Sequence, residues 1–354
     1  MDRLRALTLI PCVLLGLTVL FAPPALAQDE DEEPGPQLPR DAEQERQLEF
    51  TAAFRAGLEA LTRRDLQNGE QLFLHCLKLR KNDSTSHYNL ACTYSLMGNP
   101  EKAVASLRAA FENGFRDLAH MDRDGDLDPL RKTPEYRAAR GELEAKARQG
   151  VPAPLVRLPE GKTGYPLVVY LHADRGQPQE AFERVTGALS AEWGVVVPAA
   201  PVDMRQGRAW DDRAEWLVAE LTRTLLEENP GVDRQRVVVA GEGLAAYRAL
   251  GLLAHHPDLF SGAVAGGPYL SAGIDDELKV KGRAYLIVHA DDPGEVQSGG
   301  EARDRLAEGG AAVVLERYSR GNGLQADRAL LIRALGWATN QPVTLPGAGV
   351  ELGF

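Results

Sequence analysis

Beyond Gly150 the chain alternates short apolar runs with segments of helical period, and no other feature constrains its fold as strongly. Because the runs are apolar at consecutive positions, a strand formed there must be buried on both faces. Such strands separated by helices predict a doubly wound, mostly parallel α/β sheet with helices on both sides. The predicted strands are 167–171, 195–197, 237–240, 262–265, 284–288 and 312–315. The predicted helices are 180–189, 212–228, 245–255, 300–308 and 326–338.

Residues 50–115 have a helical pattern with an internal repeat. Gly57 and Gly69 recur as Ala91 and Ala103, in each case about 34 positions later. Small side chains at these positions let the two helices of a hairpin approach closely. This stretch resembles tetratricopeptide (TPR) repeats, which implies helical hairpins that bind a protein or peptide partner. A further helix at 134–148 is expected to cap the array.

The first residues have the three parts of a secretory signal peptide. Arg3 and Arg5 precede the apolar run 6–21, and an Ala-Leu-Ala sequence at 25–27 provides a cleavage site. A membrane anchor is the alternative, but the proline inside the run and the small residues after it favour cleavage after Ala27. The pattern predicts an exported protein, periplasmic or extracellular, with no stable membrane span after cleavage.

The charge of the chain disfavours anionic partners. Its formal net charge is −11, and no basic stripe is present to neutralise phosphates. Nucleic acid is therefore excluded as an expected partner. Residues 28–47 are acidic and contain prolines, with no face to bury, and are expected to form a disordered linker.

A candidate active-site turn follows the predicted strand 237–240. The sequence there is Gly241-Glu242-Gly243-Leu244-Ala245, leading into a predicted helix. This turn resembles the nucleophile elbow, G-x-S-x-G, of α/β-hydrolases of the esterase and phospholipase/carboxylesterase branch. The resemblance covers residues 166–340 and puts Gly243 at the nucleophile position. Glycine tolerates the strained angles of the turn but has no side chain to attack a carbonyl, and Glu242 would point off the tip of the turn.

The same resemblance implies a vestigial pocket that could hold a small ligand. Residues 170–176 stand where these hydrolases carry their oxyanion loop. The residues expected to line the pocket are His172, Asp174, Arg175, Trp210, Glu242 and Leu244. Trp193 and Trp216 could also line its mouth beside acidic residues, although packing in the core is the favoured interpretation for these rings.

The other two positions of a catalytic triad follow later in the chain. The acid should follow the strand at 284–288, where Asp292 is the best match by its proline neighbour and Asp291 is the alternative. The resemblance puts Gly323 at the position of the base. All seven histidines lie at or before His289, so no later imidazole can take a nucleophile's proton near pH 7. The triad is therefore predicted to be degenerate, with no intact catalytic residue.

No pattern in the chain requires a metal or a cofactor. The acidic run 122–128 has its glycine at the fourth position, whereas a calcium loop needs it at the sixth. His255 and His256 are adjacent, so on a helix they would point about 100° apart and are expected to be helix-end residues. Export would permit a disulfide between Cys76 and Cys92, but two buried thiols are an open alternative.

The predicted organisation is a signal peptide (1–27), a linker (28–47), a TPR-like helical domain (48–149), an α/β-hydrolase-like domain (150–342) and a C-terminal tail (343–354). The favoured function is that of a pseudo-esterase that binds a protein or ligand in the cell envelope. The alternative is an active carboxylesterase or peptidase with a non-standard site. A purely structural envelope protein is a third hypothesis.

Overall fold

The structure is a computed structural model that describes residues 40–267, 270–273, 280, 282–318, 327–340, 343–344 and 351–352. Within these ranges the chain divides into two units. The helical unit contains the described residues up to Phe115 together with Arg123–Leu143. The α/β unit contains Arg116–Asp122 and the described residues from Glu144 onward. The predicted signal peptide lies outside the described residues.

Four helices form two consecutive hairpins. They are α1 (Arg40–Thr62), α2 (Leu66–Leu79), α3 (Ser84–Leu96) and α4 (Pro100–Glu112). The N-caps of α2, α3 and α4 are Asp65, Asp83 and Asn99. Each of their side chains accepts a hydrogen bond from the backbone N–H three residues later. The chain then forms α5 (Leu118–Arg123), a 3₁₀ turn (Gly125–Leu127), α6 (Asp128–Arg131) and α7 (Pro134–Arg148).

Small residues bring the hairpin helices together, as the repeat predicts. A Cβ on Gly57 of α1 would lie 2.8 Å from Cε1 of Phe73 on α2, and the Phe73 ring is fully buried. Ala91 and Ala103, the counterparts in the second hairpin, are also fully buried. The first hairpin therefore packs closely at a glycine, and the second has buried alanines at the equivalent positions.

Two boundaries differ from the sequence-based expectation. Helix α1 begins at Arg40, so residues 40–47 of the predicted disordered linker are helical. Ala, Glu, Gln and Arg in this segment are strong helix formers and continue the helix whose buried face begins at Phe50. Helix α7 has the predicted bounds, but its residues after Leu143 group with the α/β unit, whereas the sequence predicted a boundary after residue 149.

The acidic run 122–128 is bound to the helical hairpins through separate contacts. The Tyr88 hydroxyl donates to Oδ2 of Asp124 at 2.7 Å, and Nη1 of Arg64 donates to Oδ1 of Asp126 at 2.7 Å. The carboxylates of Asp124 and Asp126 therefore bind different protein donors.

The two cysteines of the helical unit are free and buried. The Cys92 thiol donates to Oδ2 of Asp124 at 3.4 Å. Burial raises the pKa of the Cys76 thiol to about 11 and raises the pKa of Cys92 as well. Both therefore remain protonated near neutral pH and are packing residues.

The α/β unit contains a seven-stranded sheet with the order β1-β3-β2-β6-β7-β8-β9. Its strands are β1 (Leu155–Arg157), β2 (Tyr165–Leu171), β3 (Gly194–Val197), β6 (Val232–Glu242), β7 (Gly262–Gly266), β8 (Arg283–His289) and β9 (Ala312–Tyr318). Strand β1 is antiparallel to β3, and all the other pairs are parallel. Two separate antiparallel pairs are β4 (Val202–Asp203) with β5 (Arg208–Ala209), and β10 (Val343–Thr344) with β11 (Glu351–Leu352).

Helices cover both faces of this sheet. They are α8 (Pro178–Ala188), α9 (Ala214–Glu228), α10 (Leu244–His255), α11 (Pro293–Glu308) and α12 (Arg328–Ala338), with a 3₁₀ turn at Leu270–Gly273. One core packs α9, α10 and α11 on the sheet, and the other packs α8 and α12 on the opposite face. The six predicted strands and five predicted helices are present, and the doubly wound α/β prediction is confirmed. None of the described helices combines the length and apolar content that crossing a membrane requires.

The strand order places a ligand-binding position in the sheet. From β2 the chain goes to β3 on one side, and from β3 it later crosses to β6 on the other side of β2. In open α/β sheets, ligands bind at the carboxyl ends of strands where the order reverses in this way. The residues that follow β2 and β6 are His172 and Gly243, so the candidate site lies between them.

Candidate functional site

Strand β6 turns sharply into helix α10 at Gly243. Gly243 has φ 60° and ψ −125°, which is a backbone conformation that residues with a side chain rarely adopt. Its N–H donates to the carbonyl oxygen of Gly266 at 2.8 Å. Gly241 needs to lack a Cβ, because that atom would lie 2.7 Å from the backbone of Ala245. The turn is therefore set by glycines and by backbone contacts.

The turn faces open space within the described part of the chain. None of the described residues has an atom within 4 Å of a Cβ built on Gly243. A side chain at this position would point away from the packed core, as a nucleophile must in order to meet a substrate. Because the residue is glycine, no side chain projects from this position of the turn.

Glu242 lies on the sheet side of the turn and does not point off its tip. Its side chain is half-buried, and its Cγ would be 3.5 Å from a Cβ on the neighbouring Gly266. Burial raises the pKa of Tyr170, and the Glu242 carboxylate adds to that rise. Burial also raises the pKa of Tyr318, with Glu295 and Glu242 contributing. Glu242 is thus one of several titratable groups at the carboxyl end of the sheet.

Asp292, the predicted acid of the triad, caps a helix. Its Oδ1 accepts hydrogen bonds from the N–H groups of Gly294 at 2.9 Å and Glu295 at 3.1 Å, so it begins α11. The side chain is exposed, as is that of the alternative acid Asp291. A carboxylate in this position is explained by helix capping alone.

His289 is held at the end of β8. Its N–H donates to Oε2 of Glu295 at 2.7 Å, and its Nδ1 accepts from the N–H of Asp291 at 3.3 Å. The ring meets Tyr318 edge to face with centroids 5.2 Å apart. These contacts agree with the prediction of a structural residue at the strand end. Gly323, the position assigned to the base, lies outside the described residues.

The loop after β2 is built around a buried histidine. His172 is 1% exposed; its Nδ1 lies 2.8 Å from the carbonyl oxygen of Ala173, and its Nε2 accepts from the N–H of Ala200 at 3.0 Å. A carbonyl can only accept, so Nδ1 carries the proton and the ring is neutral. Burial lowers the pKa of His172, with Arg208 also lowering it. Both ring nitrogens are occupied, and His172 is therefore a structural residue of the loop.

Trp210 supports this loop from inside the protein. Its indole is 7% exposed, and Nε1 donates to the carbonyl oxygen of His172 at 2.8 Å. Its backbone N–H donates to Oδ1 of Asp174 at 3.1 Å. The only polar atom of the Trp210 side chain is therefore used to hold the loop, and a role of its ring in a ligand pocket stays a prediction. Trp216 is likewise 5% exposed, which agrees with packing in the core.

The β4–β5 hairpin fixes the rest of the loop, a contact that the sequence did not reveal. The N–H of Arg175 donates to the carbonyl oxygen of Arg208 at 2.8 Å, and the N–H of Arg208 donates to the carbonyl oxygen of Gly176 at 3.1 Å. Gly207 has φ 75°, and a Cβ there would overlap the carbonyl oxygen of Arg175. The sequence signal for a turn at this place is Gly207, six residues after a proline. Nothing in the sequence relates Gly207 to Arg175.

His255 and His256 meet on one carboxylate, contrary to the expectation that they point apart. Nδ1 of His255 lies 3.0 Å and Nε2 of His256 lies 3.2 Å from Oε1 of Glu215. The prediction assumed that both are helical, whereas His256 is the C-cap with φ −126° and ψ 56°. In the described part of the chain, no group of three or more His, Cys, Asp or Glu is arranged to hold a metal ion.

Comparisons with known proteins identify the helical hairpins. Residues 72–105, from α2 to the start of α4, match the family model of the tetratricopeptide repeat. A chloroplastic protein of Arabidopsis thaliana is 32% identical over 53 residues, which are 15% of this chain and 16% of that protein. The match thus spans only a small part of either protein.

Several solved structures of esterases are similar to part of this chain. A Bacillus cereus carboxylesterase matches with a TM-score of 0.43 and 17% identity, over 56% of this chain and 98% of that chain. A thermostable esterase matches with a TM-score of 0.40 and 19% identity, over 53% of this chain and 58% of that chain. A phospholipase/carboxylesterase from Dyadobacter fermentans DSM 18053 matches with a TM-score of 0.38 and 18% identity, over 51% of this chain and 93% of that chain. The fold class follows from the strand order and elbow described above, independently of these likenesses. The chain thus joins helical hairpins that match a tetratricopeptide repeat to a doubly wound, mostly parallel α/β sheet.

Proposed function

We propose that this protein is a catalytically degenerate α/β-hydrolase-like protein that binds a protein or ligand in the cell envelope. The observation that carries the proposal is Gly243. It occupies the turn between β6 and α10 with φ 60°, where the hydrolase pattern requires a nucleophilic side chain. A backbone turn without a nucleophile can bind a ligand but cannot form an acyl-enzyme.

The remaining triad positions support the same proposal. Asp292 is engaged as the cap of α11, and no histidine follows His289 in the sequence to act as base. His172, a histidine close to the turn, has both ring nitrogens occupied. Loss of the nucleophile and the base together is what relaxed selection on catalysis would leave, with the fold kept for another use.

The helical hairpins supply the second part of the proposal, a surface for a protein or peptide partner. Stacked helical hairpins present extended surfaces for such partners. Leu48 on α1 is 63% exposed and Leu74 on α2 is 39% exposed, so large apolar side chains are available in this unit. We propose that these hairpins recognise a partner in the same compartment.

The alternative is an active hydrolase with a non-standard site. Glu242, Tyr318 and Glu295 lie near one another at the carboxyl end of the sheet, and these are the groups such a site would use. Reaction with a fluorophosphonate probe and turnover of a panel of activated esters distinguish the two functions. We expect no labelling and no turnover above buffer for the wild-type protein. Labelling or turnover that is abolished by Glu242→Gln overturns the proposal.

Restoring the triad provides a complementary test. The double variant Gly243→Ser/Gly323→His should acquire fluorophosphonate labelling and slow ester cleavage, because Gly243 already has the elbow backbone and open space. Gly161→Ser is the matched control, since Gly161 also has positive φ (65°) and open surroundings but lies far from the turn in sequence. A folded double variant that is labelled no better than the control contradicts the assignment of Gly243 to the nucleophile position. Under the third hypothesis, a purely structural envelope protein, no ligand would raise the melting temperature in a thermal-shift screen.

A further inference from the structure

Strand β9 has the sequence of an internal strand but lies at the edge of the sheet. Residues 312–315 are apolar at consecutive positions, which is typical of a parallel strand with a neighbour on each side. In the adjacent β8, residues 284–288 are buried, whereas every residue of β9 is partly buried or exposed. Val313 and Leu315 pack against one core of the α/β unit, and Val314 packs against the other. These apolar side chains are therefore left partly uncovered at the edge of the sheet.

The backbone of β9 has a row of hydrogen-bonding groups on its outer side. Ala312 and Tyr318 bond to the residues that flank β8, through the N–H of Ala312 at 2.9 Å and the carbonyl oxygen of Tyr318 at 2.8 Å. Successive residues of a strand direct their backbone groups to opposite sides. Val313, Leu315 and Arg317 therefore direct their N–H and C=O groups away from β8. In the described part of the chain, no strand pairs with this outer side.

Strand β9 lacks the features that usually prevent an edge strand from pairing. Natural sheets keep their edge strands short, bend them with a bulge, or place proline or charged residues there. At the opposite edge, β1 has only three residues. Strand β9 has seven residues, no proline and an unbroken register with β8, and Arg317 is its only exposed charged residue. Its outer side can therefore accept another strand.

We propose that β9 pairs with β9 of a second copy of this chain in an antiparallel dimer with two-fold symmetry. Pairing about Leu315 places it opposite Leu315 of the partner subunit, and places Val313 opposite Arg317 of the partner subunit. In an antiparallel pair, residues that direct their backbone groups towards each other exchange two hydrogen bonds. The three residue pairs form six hydrogen bonds, and the two seven-stranded sheets become one continuous sheet. This inference concerns assembly and goes beyond the proposed function.

A second copy fits this edge because the edge is complementary to itself. With the two-fold axis at Leu315, Glu316 faces Val314 of the partner subunit, and no like charges face each other. Moving the axis to Val314 leaves only two outward pairs, and moving it to Glu316 places two carboxylates opposite each other. Glu316 is already bound by Tyr285 and Arg333 of its own chain. Two-fold pairing covers both copies of the edge at once and forms a closed assembly, as in most homo-oligomers.

Sedimentation velocity of the full chain tests the proposal. Samples from about 0.5 to 50 µM cover dissociation constants in the micromolar range. We expect the sedimentation coefficient to rise with concentration from that of a monomer to that of a dimer, with no larger species, because the closed dimer leaves no second copy of the edge unpaired.

Two substitutions of one exposed residue locate the interface. Arg317→Pro removes an outward N–H, whereas Arg317→Ala removes the same side chain but keeps that N–H. Neither changes a hydrogen bond to β8, because residue 317 directs its backbone groups outward. Arg317→Pro should raise the dissociation constant of the dimer by at least about ten-fold, and Arg317→Ala should stay within about two-fold of wild type. Urea unfolding followed by tryptophan fluorescence shows whether each variant is folded.

A cysteine at the two-fold axis tests the register. In the proposed pair the Cα atoms of the two copies of Leu315 are about 5.5 Å apart, within the range of about 4.4–6.8 Å that a disulfide spans. The Leu315→Cys variant should therefore form a disulfide-linked dimer under mild oxidation, seen on a non-reducing gel. Leu244→Cys is the matched control, since Leu244 is 44% exposed but lies on α10, and it should stay monomeric on that gel. The native Cys76 and Cys92 are buried and should not cross-link.

The outcomes decide the inference separately from the proposed function. A monomer at all concentrations, a dimer that folded Arg317→Pro leaves unchanged, or Leu315→Cys that cross-links no better than Leu244→Cys overturns it. If Arg317→Pro does not fold, cross-linking of Leu315→Cys decides the question. Fluorophosphonate labelling and ester turnover play no part in these measurements, so a failure of the dimer leaves the proposed function standing, and the reverse also holds.

Discussion

At the scale of single residues, the backbone of Gly243 is fixed by its surroundings. Gly243 has φ 60° and ψ −125°. Its N–H is bound to Gly266, and Gly241 packs against the backbone of Ala245. The conformation of the turn is therefore required by the packing of α10 on the sheet.

His172 predicts how the stability of the α/β unit depends on pH. Its pKa is lowered below the usual 6.5 by burial, so the unfolded chain binds its proton more readily than the folded protein does. The stability that the neutral ring contributes is complete above pH 6.5 and is lost as the pH falls below 6.5 towards the folded pKa. We expect the free energy of unfolding to decrease over that window.

Urea unfolding followed by tryptophan fluorescence measures this effect, because all four tryptophans lie beyond residue 190. His172→Gln should be less stable than wild type at pH 8 by about 1–3 kcal/mol, since it loses well-placed hydrogen bonds. Its stability should also fall less steeply below pH 6.5. His289→Gln is the control and should keep the wild-type slope. A wild-type slope in His172→Gln would refute this role for the ring.

At the scale of elements, the helical hairpins depend on close approach. The Cβ that Gly57 lacks would be 2.8 Å from Phe73, whose ring is fully buried. Gly57→Ala should therefore destabilise the first hairpin by about 1–3 kcal/mol through overpacking. Hydrogen exchange of peptides from α1 and α2 should become faster, while the tryptophan-detected transition stays unchanged.

Gly141 provides the matched control for this prediction. It lies in α7, where a Cβ would meet nothing within 4 Å, and its φ is not positive. Gly141→Ala should stabilise the helix by about 0.5–1 kcal/mol, because alanine loses less backbone entropy than glycine. If Gly57→Ala leaves exchange in α1 and α2 unchanged, the close packing of this hairpin is contradicted.

Element prediction from sequence succeeded where hydrophobic periodicity was strong. The six predicted strands all occur. Five of the predicted runs are apolar and buried on both faces, whereas β9, at the edge of the sheet, is only partly buried. Strand β1 and the β4–β5 hairpin were not predicted. Strand β1 has three residues and β4 and β5 have two each, too few for a pattern, and they form only because a partner strand is present.

At the scale of the whole molecule, the net negative charge and the signal-peptide pattern of residues 1–27 relate to the compartment in which the protein acts. We propose export with cleavage after Ala27. Expression of the full chain in a bacterial host, followed by fractionation and N-terminal sequencing, should give an envelope protein that begins at Gln28. Ala25→Arg/Ala27→Arg should accumulate as the uncleaved precursor, because the cleavage site needs small side chains. An envelope protein that retains residues 1–27 would contradict the proposed cleavage.

The sequence by itself determined the class of fold. Apolar periodicity specifies which segments form strands and helices and which faces they bury, and the glycine at position 243 can be read directly. Only the tertiary structure decided where the remaining polar residues act. Trp210 donates a hydrogen bond to His172, and the Glu215 carboxylate is hydrogen-bonded to His255 and His256. These partners are 38 to 41 residues apart in the sequence. Such contacts depend on how loops and helix ends are oriented by packing, which no local pattern encodes.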